Sequence, residues 1–299
     1  MTRVALLGSD SSHTDAYAEL LNGRGGGLDP DARVESLWGE DPGQAREKAE
    51  ACGIPRVAGT PAEACEGADL VMVIGRYGDG HAAPAREAIE AGAPVFIDKP
   101  MTNDAAEAAE LAALARERGT QLASFSPLRF APELDALREL GDPASLRGAV
   151  VSSPADCALL EDPRAMELHF YGIHALDLLF VPFGSEVRWV SASATDKSVW
   201  ATLGYADGRH AALNLMVEIG DFYNAAVIAP DGARAVDIDP AGPFYERSLA
   251  YLLGPFLRGD AARAPIEDAV RGVAVIDAIL RSADEGRPVE LEEIAEVAP

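Results

Sequence analysis

Lysine occurs at only three positions in this chain, Lys48, Lys99 and Lys197. Lys99 stands apart in its setting. It follows the apolar run Pro94-Val95-Phe96-Ile97 and Asp98, and it precedes Pro100. A lysine closed in at the end of a buried strand loses hydration, which disfavours its ammonium form. Four of the five histidines, His13, His81, His169 and His174, follow other apolar runs or sit in an apolar helical stretch. Histidine titrates near neutrality. The run Gly8-Ser9-Asp10-Ser11-Ser12-His13 keeps the first glycine of the dinucleotide-binding spacing Gly-x-Gly-x-x-Gly and neither of the others. A metal site would need His13, His81, His169, His174 and Asp10 to converge without any local ligand spacing, so no metal is expected.

These residues need elements to hold them. Residues 3–124 alternate short apolar runs with helical patterns. Val4–Leu7, Val34–Trp38, Leu70–Ile74, Pro94–Ile97 and the weaker Gln121–Ala123 read as strands buried on both faces. The helices between them carry clear punctuation. Thr60-Pro61-Ala62-Glu63 is a capping residue, a proline at the first helical position and an acid in capping-box position. Helical patterns at Gly80–Ala91 and from Thr102-Asn103 to Arg118 stop at Gly92 and Gly119. Strand–helix repetition of this kind predicts a parallel, doubly wound Rossmann-type sheet over residues 1–125. Ligands of such sheets bind beyond the C-terminal strand ends. That rule nominates Gly8–His13, Gly39-Glu40, Gly75–His81 and Asp98-Lys99-Pro100.

Past residue 125 the pattern changes. Ser198–Tyr205, the turn Asp207-Gly208 and Arg209–Glu218 predict a hairpin. Val187–Ala194 and Tyr223–Ala229 add strands. Helices fit Pro132–Leu140, Gly172–Phe180, Phe244–Leu257 and Ile266–Ala283. Residues 126–299 therefore read as an α+β domain with a largely antiparallel, open sheet. Gly23–Gly27 reads as a surface loop.

Composition narrows the function classes. With 299 residues and 48% hydrophobic content, two domains with real cores are expected. The net charge of −24 argues against nucleic acid and anionic lipid as partners. No apolar run approaches membrane-helix length, and the N-terminus has no signal-peptide pattern. Cys52, Cys65 and Cys157 show no metal or redox spacing, which suits a reducing cytoplasm.

Several runs together resemble one family. They are Ile97-Asp98-Lys99-Pro100, Arg129-Phe130-Ala131-Pro132, Gly172-Ile173-His174-Ala175-Leu176-Asp177, Pro265-Ile266-Glu267-Asp268-Ala269 and Gly286-Arg287-Pro288-Val289-Glu290-Leu291. In order and spacing they are similar to the Gfo/Idh/MocA family, named for glucose–fructose oxidoreductase, inositol dehydrogenase and rhizopine catabolism. The resemblance implies NAD(P)-dependent oxidation or reduction of a sugar, polyol or hydroxy acid, with NAD as the expected cofactor. It implies that Lys99 and His174 manage the substrate proton during hydride transfer, with Asp177 as an orienting partner. It also implies a homo-oligomer, dimer or tetramer, packed through the open sheet.

The chain departs from the family pattern at four places. Asp10 replaces a glycine, where its carboxylate could cap the next helix and would place negative charge at the phosphate site. Gly39 stands where an acid would bind the adenosine ribose, with Glu40 beside it. Arg76-Tyr77-Gly78 replaces Thr-Pro-Asn, so Arg76 could hold an anion and Tyr77 could stack on a ring. Phe170 replaces an acid four residues before His174, and the adjacent His169 could serve instead. The expected catalytic set is thus Lys99, His174, Asp177 and His169. The expected cofactor set is Gly8, Ser9, Asp10, Ser11, Ser12, His13, Glu40, Arg76, Tyr77, His81 and Asp98. These departures leave open a second reading: elimination, isomerisation or decarboxylation without a dinucleotide, using Lys99, His174 and His13.

Overall fold

The computed structural model describes residues 1–23, 28–156, 164 and 167–294. Cys157 and the loop beyond Gly23 lie outside them. The chain folds as two compact units. The first comprises Met1–Thr102, Glu107–Phe125 and Tyr245–Ala269; the second comprises Asn103–Ala106, Ser126–Phe244 and Val270–Pro299.

The first unit begins with strand β1 (Thr2–Leu7), helix α1 (Ser12–Asn22), β2 (Ala32–Trp38), α2 (Pro42–Cys52), the short β3 (Arg56–Val57) and α3 (Pro61–Cys65). It continues with β4 (Leu70–Val73), α4 (Ala82–Ala91), β5 (Val95–Ile97), α5 (Ala105–Arg118) and β6 (Leu122–Ser124). The six strands are all parallel, in the order β3-β2-β1-β4-β5-β6. That order reverses between β1 and β4, the point where doubly wound sheets bind ligands. The apolar runs end up inside as their composition demands, with Val4, Ala5, Leu6 and Leu70 wholly buried. Helix starts follow the cap chemistry. Asp41 accepts the amides of Gly43 and Gln44, Thr60 accepts that of Glu63, and Pro42 and Pro61 open their helices.

The second unit starts with the four-residue α6 (Asp135–Arg138), β7 (Gly148–Pro154), α7 (Leu168–Phe183), β8 (Val187–Ala194), β9 (Ser198–Tyr205) and β10 (His210–Met216). Then come β11 (Asn224–Ala229), β12 (Gly232–Asp237), α8 (Phe244–Leu253), α9 (Ile266–Glu285) and β13 (Val289–Glu290). All but the first residue of α8, and the first four residues of α9, belong to the first unit, and the first two residues of α5 to the second. The sheet runs β12-β11-β7-β10-β9-β8-β13. Only β7 with β10 is a parallel pair, so the sheet is mixed and largely antiparallel. Side chains alternate across it. Val151, Leu203, Leu213 and Val227 are buried, while Val150, Trp200 and Ile228 are exposed. Helices α7 and α9 pack closely where Gly272 faces Ile173; a Cβ on Gly272 would lie 2.9 Å from the Ile173 side chain.

Several boundaries differ from the expectations. α7 begins at Leu168, which places His169 and Phe170 in its first turn. The helix expected over Pro132–Leu140 is a 3-10 turn at Pro132–Leu134 followed by α6, ending before Gly141. Strands β3, β7, β12 and β13 were not anticipated.

Candidate active site

At the end of β1 the chain must turn sharply against β4. Gly8 does this with φ +131, and a Cβ there would lie 2.4 Å from the Gly75 amide nitrogen. No other residue fits that approach. Ser11, not Asp10, caps α1, its hydroxyl accepting the His13 amide at 3.1 Å. Asp10 is diverted: its Oδ1 accepts the Arg76 amide at 3.1 Å, and its carbonyl accepts Arg76 Nε at 2.9 Å. The Asp10 carboxylate and Arg76 guanidinium thus stand together at the β1 and β4 ends. The backbone N–H groups of Ser11 and of the exposed Ser12 meet no acceptor among the described residues.

After β2, Gly39 is hemmed in by Ser9, whose Oγ would lie 2.1 Å from a Cβ on Gly39. The Ser9 hydroxyl donates to Gln44 Oε1 at 3.1 Å. Glu40, next along, is exposed. Tyr77 is buried at the start of a 3-10 turn, Gly78–Gly80. His81 is wholly buried, its Nδ1 at 2.8 Å from the Pro100 carbonyl and its Nε2 at 2.9 Å from that of Gly75. It ties the β4 end to the β5 end.

Asp98 and Lys99 follow β5, 2% and 5% exposed. His13 Nδ1 lies 2.5 Å from Asp98 Oδ2. Asp98 Oδ1 is buried with no hydrogen-bond partner. Burial alone would raise the Asp98 carboxyl, but His13, then Lys99 and His81, outweigh it and hold the group below its usual range. The His13 ring meets Tyr245 edge-on at 5.3 Å, and Tyr245 meets Tyr17 at 5.7 Å. Burial, with Asp98 and Tyr245 adding to it, pushes the Tyr17 hydroxyl well above its usual range.

The second unit holds its own group on α7 and the segment after β6. Ser126 Oγ lies 2.6 Å from His174 Nδ1. The Ser126 amide donates to Asp177 Oδ2 at 2.6 Å, and Arg129 Nη1 donates to Asp177 Oδ1 at 2.7 Å. Asp177 therefore reaches His174 through Ser126. The His174 ring lies edge-on to Tyr171 at 5.1 Å and Tyr223 at 5.8 Å. His169 is engaged by Asp277, with Nε2 at 2.8 Å from Oδ1, while Asp277 Oδ2 accepts the Ala105 amide. Among the described residues no three His, Cys, Asp or Glu side chains gather to hold a metal ion. No described helix is long and apolar enough to cross a membrane.

Two expectations change here. Asp10 does not cap α1, because Ser11 occupies the cap backbone position and Asp10 bonds Arg76 instead. Arg76 is not simply offered to a ligand, since its Nε is committed to the Asp10 carbonyl. Ser126, Asp277 and Tyr245 were missed. The one available signal was Ser126-Pro127, a cap-and-proline pair opening a helical turn.

Comparison with known proteins bears on the fold. Residues 2–125 match the family model described as an oxidoreductase family with an NAD-binding Rossmann fold. Inositol 2-dehydrogenase 1 of Saccharopolyspora erythraea is 25% identical, with 97% of this chain and 96% of that protein covered. A myo-inositol dehydrogenase from Corynebacterium glutamicum shares the fold with a TM-score of 0.78 at 20% identity, covering 97% of this chain and 99% of that one. GenD2 from gentamicin A biosynthesis, solved in complex with NAD, has a TM-score of 0.80 at 21% identity, covering 97% and 96%. Over residues 2–125 the chain is similar to the Gfo/Idh/MocA oxidoreductase family.

Proposed function

We propose that this chain is a cytoplasmic NAD(P)-dependent dehydrogenase, with NAD preferred, acting on a hydroxyl of a sugar, polyol or hydroxy acid. The observation that carries the reading is Lys99, closed in at the C-terminal end of β5 beside an ionised Asp98. Bound NAD would supply the hydride acceptor. The open amides of Ser11 and Ser12 at the N-terminus of α1 suit a pyrophosphate, and Arg76 offsets the Asp10 charge there. Glu40 and Asp41 would repel the extra phosphate of NADP, which favours NAD. Lys99 and His174 handle the substrate proton, and Asp177 fixes the segment that holds His174.

The test is an NADH titration followed by nicotinamide fluorescence, then turnover of a polyol, sugar and hydroxy-acid panel with NAD. Saturable binding and NAD-dependent turnover are expected. No binding at millimolar NADH would overturn the reading. It would favour the alternative of proton chemistry without a dinucleotide, which the Asp10 carboxylate at the β1 loop supports. That alternative predicts turnover with no nicotinamide added.

The exposed sheet face bearing Val150, Trp200 and Ile228 supports a dimer or tetramer formed through it. Light scattering on Trp200→Glu, with a shift toward monomer, checks this.

A further inference from the structure

We infer that Ser126 is a positioning residue that fixes His174 as its Nε2–H tautomer. The argument is an inventory of protons. A serine hydroxyl has one hydrogen to give and two lone pairs to receive. Ser126 is wholly buried, and its Oγ has two polar neighbours. One is the Leu128 amide, a donor at 3.1 Å, which the oxygen accepts. The other is His174 Nδ1 at 2.6 Å. The Ser126 hydrogen therefore has one acceptor within reach, and that is Nδ1. Donation to Nδ1 leaves it without a proton of its own and puts the ring proton of neutral His174 on Nε2.

The surroundings hold this arrangement in place. The Ser126 amide is pinned by Asp177 Oδ2, and Asp177 is itself gripped by Arg129. Asp177 and Arg129 pair with each other at 2.7 Å. Tyr171 and Tyr223 pack edge-on to the ring and limit its rotation.

The consequence rests on the dehydrogenase reading and divides its labour. A neutral ring with its proton already on Nε2 cannot take a second one there. Giving that proton away would leave an imidazolate. In that division His174 is a hydrogen-bond donor through Nε2–H to the substrate oxygen and is not the base.

The test is nitrogen-15 NMR of the imidazole-labelled full-length protein near neutral pH, with His174 assigned by loss of its signals in His174→Gln. The expected spectrum shows a protonated Nε2 and a bare Nδ1. Ser126→Ala mixes the tautomers, and Ser126→Thr restores the wild-type pattern. A protonated Nδ1 in the wild type, or a spectrum unchanged in Ser126→Ala, overturns the inference. The kinetic arm uses the same glutamine variant, whose amide can donate from the Nε2 position. His174→Gln should keep turnover within about tenfold of wild type, whereas His174→Ala should lose on the order of a hundredfold or more. Equal loss in both overturns the donor role. Failure of NADH binding would count against the dehydrogenase reading alone, because the tautomer is read from the unliganded protein.

Discussion

His13 Nδ1 and Asp98 Oδ2 are 2.5 Å apart, joining the first turn of α1 to the end of β5 across 85 residues of sequence. His13 occupies the place of the third glycine in the dinucleotide spacing, so the position has exchanged close backbone packing for a side-chain hydrogen bond to Asp98. Asp98 is 2% exposed, and a buried charge of that kind is tolerated only when compensated.

Removing the compensation has a signed consequence. The Asp98 carboxyl is held low in the folded state, so its contribution to stability is present above the unfolded value of about 3.9 and is lost as pH falls through the lower folded value. His13→Ala should destabilise the protein by about 3 kcal/mol at pH 7, read by urea denaturation. The gap between variant and wild type should close as the pH falls below about 4. A gap that persists into strong acid would mean that lost packing against Tyr245, not the charge, accounts for it.

Arg129 and Asp177 make a second buried pair, 4% and 8% exposed. Taking one partner away leaves the other charge buried. Arg129→Met should cost about 3–5 kcal/mol, and Arg129→Met with Asp177→Leu should cost less than Arg129→Met alone. Denaturation of the two variants checks this. The inequality fails if the Asp177 bond to the Ser126 amide matters more than the buried charge, since only the double variant loses that anchor.

How much of this could be read from the chain depended on distance in sequence. The strands around Leu70–Val73 and Val95–Ile97 were legible because each is a short apolar run with its own turn residues. Strand β7 was not, because Gly148, Ser152 and Ser153 dilute its apolar residues and its parallel partner β10 begins at His210. The sequence pointed to Asp10 as the cap of α1, whereas backbone geometry gives that place to Ser11. Ser126 was hidden because its importance comes from His174, 48 positions later. Tyr245 was hidden because the chain returns to the first unit for Tyr245–Ala269. Lys99 needed none of this. Its rarity, its strand end and the following proline are all local.

The ribose end of the proposed cofactor site can be rebuilt. Ser9 fills the space over Gly39, so an acid cannot simply be added there. Ser9→Gly with Gly39→Asp should create both the room and the carboxylate. A hydrogen bond to a charged group is worth about 1.5–3 kcal/mol, so the Kd for NADH should fall by roughly tenfold or more. Fluorescence titration measures it. Gly39→Asp alone should bind no better than wild type, because its side chain meets the Ser9 hydroxyl.

Lys99 carries the sharpest test, because lysine and arginine share a charge but not an acid–base chemistry. Lysine can release its proton when desolvated; the arginine guanidinium cannot. If Lys99 only attracted substrate, Lys99→Arg would keep most of the activity. If it takes the hydroxyl proton, Lys99→Arg and Lys99→Ala should both lose turnover by about a hundredfold to ten-thousandfold. NADH affinity should hold in both variants, since the open amides of Ser11 and Ser12 are untouched. Steady-state kinetics beside NADH titration separate the outcomes. Substantial turnover in Lys99→Arg would remove Lys99 from proton transfer.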